Sequence, residues 1–191
     1  MSRTVWRTGA MLATSAWLGY WACSGWAHEG HDHGPARRRT GSTAALDLEG
    51  LKKFHGHLGP YLILGARAVE LATQGLGVPA TRLSAVVSCH LNSPERCMAD
   101  AVQFCSDATY GRGRIAVLRS AVPRMHFVDQ ETGDTAVLVL TDKARALLAR
   151  LPGYSGPGTD SDQKIEALAR EAATMSAAEL WQCRVLRLSD R

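Results

Sequence analysis

Hydrophobic and polar positions change period several times along this chain, and each change marks an element. Leu46, Leu48 and Leu51 predict a short helix. Leu62, Leu64, Ala68, Leu71 and Ala72 make one helical face over 62–74, with Pro60 acceptable in the first turn. Gly75 and Gly77 are expected to stop that helix. Residues 83–88 form a short apolar, β-branched run, a buried strand, and helical spacing resumes over 94–105. Three more strands are predicted at 115–118, 124–129 and 135–140, the last two flanking a loop, Gln130-Glu131-Thr132-Gly133-Asp134, of hairpin composition. Residues 142–151 read as a helix and 153–159 as a loop. Asp160-Ser161-Asp162-Gln163 has capping-box spacing ahead of a helix to about residue 174. Ser176-Ala177-Ala178-Glu179 repeats that signal for one short turn, and 184–188 alternates like a final strand. No internal repeat is visible. Helices interspersed with a hairpin predict one α+β domain over 45–191, a mainly antiparallel sheet with helices packed on it.

The first 44 residues have a different character. Arg3 and Arg7 precede an uncharged stretch from residue 8 to 27 that ends in Gly25-Trp26-Ala27, the pattern of a signal peptide over 1–27. A membrane anchor is the rival, disfavoured by the many Gly, Ser and Thr residues. The expectation is a periplasmic or secreted protein that is free of the membrane after cleavage. Residues 28–44 begin His28-Glu29-Gly30-His31-Asp32-His33 and carry nothing that buries a core, so they read as a disordered His-rich arm. That arm is either a solvated tail or a loose metal-binding station.

Charge excludes one class of partner. Without Arg3 and Arg7 the formal charge of +4 falls to about +2, and apart from Arg37-Arg38-Arg39 the basic residues are scattered, without interleaved aromatics. Nucleic acid is therefore not an expected partner. Four cysteines remain in the exported part, Cys89, Cys97, Cys105 and Cys183. They allow two disulfides, or one pair with two thiols, or a thiolate metal ligand.

The densest chemistry lies in Phe54-His55-Gly56-His57-Leu58-Gly59-Pro60-Tyr61 and in Cys97-Met98-Ala99-Asp100-Ala101-Val102-Gln103. In an extended or loop conformation His55 and His57 point the same way, and Gly56 between them removes a side chain where an ion or backbone must approach. Cys97 at a helix start lies where the helix dipole favours a thiolate. Two imidazoles and one thiolate suit zinc with a fourth position open, and copper or iron fit as well. Asp100 shares a helix face with Cys97 and can orient a ligand. The bland alternatives are a structural His-x-His pair and a disulfide between Cys97 and Cys89. Thr109-Tyr110-Gly111-Arg112-Gly113-Arg114 reads either as an anion cradle or as a plain turn into the next strand.

Taken together, these segments resemble the FmdE family of formylmethanofuran dehydrogenase components. The likeness covers about residues 46–150 and rests on the His55-Gly56-His57 segment with Leu64-Gly65, on Cys97-x-x-Asp100-Ala101-Val102-Gln103, and on Ala108-Thr109-Tyr110-Gly111-Arg112-Gly113. It implies an α+β domain, often a homodimer, with a metal, usually taken as zinc, held by His55, His57 and Cys97. It implies further that Asp100, Gln103, Thr109 and Gly111 line the same cleft. Many members carry cysteines where this chain has Leu58 and Ala108, and the longer ones add a zinc ribbon that this sequence lacks. Three functions compete. The first is a periplasmic protein that binds, carries or senses a transition metal or small metal complex. The second is an enzyme with an open-site zinc and Asp100 as base. The third is a thiol protein cycling between Cys89 and Cys97, disfavoured by the lack of a Cys-x-x-Cys motif.

Overall fold

The computed structural model describes residues 45–92 and 94–190. The expected signal peptide at 1–27 and the His-rich arm at 28–44 lie outside the described residues. The described chain forms six helices and one five-stranded sheet. In order these are α1 (Leu48–His55), α2 (Pro60–Leu76), β1 (Leu83–Cys89), α3 (Cys97–Cys105), β2 (Ile115–Arg119), β3 (Arg124–Asp129), β4 (Thr135–Leu140), α4 (Asp142–Leu148), α5 (Asp160–Thr174), α6 (Ala177–Leu180) and β5 (Trp181–Leu186).

The sheet order is β2-β1-β3-β4-β5. β1 pairs in parallel with β2, and the other three pairings are antiparallel. The parallel pair requires a crossover, and the segment carrying α3 supplies it. Alternation sets which face is covered: Leu83, Ala85, Val87 and Cys89 of β1 point inward, as do Met125 and Phe127 of β3 and Ala136 and Leu138 of β4. The hairpin between β3 and β4 is held by Asp129, whose carboxylate takes Arg82 and the Thr132 hydroxyl. The Arg82 guanidinium holds that nearly inaccessible carboxylate far below the usual carboxylate range.

α2 is the centre of the molecule. Leu62, Ile63, Leu64, Ala66, Ala68 and Val69 are all buried, so every side of its first turns is covered. The sheet takes one side, α3 another, and α5 and α6 a third. The indole N–H of Trp181, itself buried, donates to the Leu64 carbonyl at 2.9 Å and ties β5 to the helix. At Gly65 α3 comes so close that a Cβ would strike the Met98 carbonyl and lie 2.8 Å from the Ala101 methyl. Glycine at this place lets the two helices touch backbone to backbone.

Three local expectations need correction. Gly77 alone caps α2, at φ +72°, whereas Gly75 stays within the helix, where an added Cβ would lie 3.2 and 3.4 Å from side-chain atoms of Val185 and Cys183 of β5. The side chain capping α5 is Thr159, which accepts from the Asp162 N–H, and Asp160 is the first helical residue, paired with Lys164. The last strand starts at Trp181 rather than 184, since the short α6 runs into it without a linker and hides the start of the alternation. The Ser176–Glu179 capping box forms as the spacing indicates.

Candidate functional site

His55 is the last residue of α1, and Gly56 follows it at φ +97°, donating its N–H to the Lys52 carbonyl as a left-handed cap. This cap, and not an extended segment, turns the chain so that His57 returns to the side of His55. The ring centroids lie 4.6 Å apart. Beyond its two chain neighbours nothing lies within 4 Å of where a Gly56 Cβ would be, so its positive φ is what calls for glycine here.

Cys97 opens α3, one turn before Asp100. The packing of α2 on α3 at Gly65 carries that helix start to the end of α1. Phe104 of α3 lies against the end of α1, with its ring 5.7 Å from that of Phe54. One donor atom from each of His55, His57 and Cys97 then lies within 4.8 Å of the others. Tetrahedral donors at about 2.0–2.3 Å from one zinc are roughly 3.3–3.8 Å apart, so a small side-chain adjustment of this set would bring it onto a single ion.

The hydrogen bonding of His55 fits that use. Its Nδ1 lies 2.7 Å from Asp100 Oδ2. With an ionised Asp100 the proton belongs on Nδ1, which leaves Nε2 as a bare lone pair. Nε2 is buried and has no hydrogen-bond partner. Burying such an atom unsatisfied costs about 1–3 kcal/mol, which a bound cation would offset. Burial, and then the neighbouring His55, lower the His57 pKa against the opposing pull of Asp162, so His57 favours the neutral, ligand-competent imidazole. Tyr154 stacks on His57 with centroids 5.9 Å apart, covering its outer side from the loop before α5.

The sulfur alternatives recede. Cys89 is a wholly buried thiol on the inner face of β1, and burial raises its pKa. Cys183 is likewise a thiol, raised by burial. Neither the Cys89–Cys97 nor the Cys105–Cys183 disulfide is therefore formed. Beside the site, burial followed by the charges of Glu95, Cys89 and Cys97 pushes the Tyr61 hydroxyl up to about 12, so it keeps its proton.

A cleft of about 770 Å³ opens from His55 and Cys97 between α3 and β2. Asp100 and Gln103 line it. Thr109 and Gly111 lie in the loop before β2, where the Arg114 N–H bonds the Thr109 carbonyl at 3.1 Å, Arg112 bonds Asp107 at 2.6 Å and the Tyr110 N–H bonds Gln103. That loop is a turn into β2, and its contribution to the cleft is Tyr110. Sequence reasoning passed over Arg96 on the cleft wall and Tyr154 over His57. The first is an ordinary surface residue type before a helix, and the second sits in a Gly/Pro-rich loop without periodicity.

A family model described as FmdE, molybdenum formylmethanofuran dehydrogenase operon, matches residues 54–182. No curated protein matches the chain. Among solved structures, the fold is similar to that of a tungsten formylmethanofuran dehydrogenase FmdE-like protein from Syntrophus aciditrophicus. The TM-score is 0.52 at 24% identity, over 74% of this chain and 70% of that one. At this identity the likeness is one of fold. No described helix is long and apolar enough to cross a membrane.

Proposed function

This chain belongs to the FmdE family, and we propose that it binds one transition-metal ion, zinc in the first instance, through His55, His57 and Cys97. The observation that carries this reading is the buried, unpartnered Nε2 of His55, aimed by the Asp100 contact at Nδ1. Two imidazoles and a thiolate leave a fourth position on a zinc ion, and the adjoining cleft gives a small molecule access to it. Copper and ferrous iron accept the same donors. The protein acts as a metal-binding or metal-carrying protein of the periplasm, where the leader-like residues 1–27 would send it and the His-rich arm would offer a looser first station.

The enzymatic alternative has less support. Asp100, the carboxylate an open-site hydrolytic mechanism would use as its base, is engaged with His55. Self-association fits the exposed apolar side chain Leu118 on the edge strand β2. Sedimentation at micromolar concentration distinguishes a homodimer from a monomer.

The deciding experiment is elemental mass spectrometry on untagged protein, with and without residues 1–44. One metal per chain, retained without the arm and lost in His57→Ala and in Cys97→Ser while the fold persists, is the expected result. No stoichiometric metal in the folded protein refutes the assignment.

A further inference from the structure

The cleft beside the metal-binding set has two chemically different walls. One carries Arg96, Asp100 and Gln103 from the α3 side, and the other carries Ile115, Ala116 and Val117 of β2. Its volume of about 770 Å³ lies within the range of small-molecule sites. The polar wall is biased toward donors. Gln103 Oε1 accepts the Tyr110 N–H at 3.0 Å, which leaves the amide NH₂ as its available edge. Asp100 is the exception on this wall: its Oδ2 is taken by His55, and its other oxygen remains an acceptor. Arg96, like Arg114, Arg119, Arg124 and Arg184, has no ion-pair partner among the described residues, and of these it is the one that lines the cleft. Its guanidinium stands immediately before Cys97, at the positive end of α3.

We propose that this cleft binds a small organic carboxylate with an apolar body, its carboxylate on Arg96 and its hydrocarbon part on Ile115, Ala116 and Val117, with the Gln103 amide as a further donor two turns along α3. A guanidinium fork by itself matches the two oxygens of a planar carboxylate. An uncharged ligand would leave the guanidinium unused, and a purely inorganic anion would leave the apolar strand wall uncovered. The inference deepens the metal reading and rests on it only for what the carboxylate lies beside. The organic anion then sits at the open side of the His55, His57 and Cys97 set and can accompany the ion.

Calorimetric titration of the full chain with 4-phenylbutyrate, 4-phenylbutyramide and acetate tests this, with metal content measured on the same samples. Phenylbutyrate is expected to bind, and the amide and acetate to bind more weakly. Arg96→Gln is expected to weaken phenylbutyrate binding by roughly ten- to hundredfold, the loss of one charge-assisted contact, with metal content unchanged. Val117→Asp should weaken it too, without reviving acetate. Equal binding of acid and amide, no binding of phenylbutyrate, or an unaffected Arg96→Gln overturns the proposal. If one metal per chain is still found, the metal reading stands. Conversely, Arg96-dependent carboxylate binding by a chain that takes up no metal upholds the cleft and refutes the metal site.

Discussion

His55 Nδ1 lies 2.7 Å from Asp100 Oδ2, joining the last residue of α1 to the first turn of α3 across 45 positions of sequence. The contact chooses the tautomer of His55 and aims its other nitrogen at His57 and Cys97. Asp100→Asn keeps the shape and removes the charge. We expect metal affinity to fall about 10–100-fold with the fold intact. Competition with a chromophoric chelator measures it; an unchanged affinity means that the carboxylate plays no part in orienting the ligand.

Gly56 makes the turn that returns His57 to His55. Its φ of +97° is a conformation side chains avoid, while beyond its two chain neighbours no atom lies within 4 Å of its Cβ position. Gly56→Ala should therefore cost stability through backbone strain alone, about 1–2 kcal/mol, and should lower metal affinity by spoiling the convergence of the rings. Gly56→Asn should be milder, because asparagine tolerates the left-handed region better. Urea denaturation of the three proteins ranks them. Equal stability would show that the turn relaxes freely.

At Gly65 the obstacle is contact rather than φ. A methyl there meets the Met98 carbonyl and the Ala101 methyl, on a helix start whose neighbour is Cys97. Gly65→Ala should destabilise by about 1–3 kcal/mol, the usual cost of overpacking, and should displace Cys97 from the two histidines. A loss of both thermal stability and metal stoichiometry is the expected pairing. Loss of stability with full metal content would show that α3 moves as a unit with the site.

Acid should act on the metal-free protein through His57. Burial and His55 lower its pKa in the fold, so the native state binds a proton less readily than the unfolded chain. Its contribution to stability is complete above the ordinary imidazole value of about 6.5 and is lost as pH falls through the lowered one. His57→Gln should flatten this acid-side slope, measured by denaturation between neutral pH and about pH 5. For the loaded protein the same shift means that protons displace the metal at a lower pH than an exposed imidazole would set. Release centred at or above the ordinary value would contradict the burial of this ring.

Much of the local structure was legible in the residues. The strands over 124–129 and 135–140 end where the alternation ends, because a two-residue period with one covered face leaves a direct mark on composition. Pro60 at the head of α2 and Gly77 at its end are equally local, since each acts through its own backbone angles. Gly75 and Thr159 show the limit. The room around the first is set by a strand more than a hundred positions away, and the second differs from its neighbours only in which hydroxyl or carboxylate reaches an N–H.

The sequence by itself determined the donor types, their local spacing and the elements that carry them. Each depends on interactions within a few residues and therefore repeats with the period of the helix or strand. Tertiary structure alone decided that Cys97 meets His55 and His57, that Asp100 is spent on His55 Nδ1, and that Cys89 is buried instead of bridged. It also decided that Tyr154 covers His57 and that Arg96 stands on the cleft wall. The physical reason is the same in each case. These relations follow from the close approach of α2 and α3 at Gly65 and from the crossover that sets β2 beside β1, and packing between distant segments leaves no period in the chain.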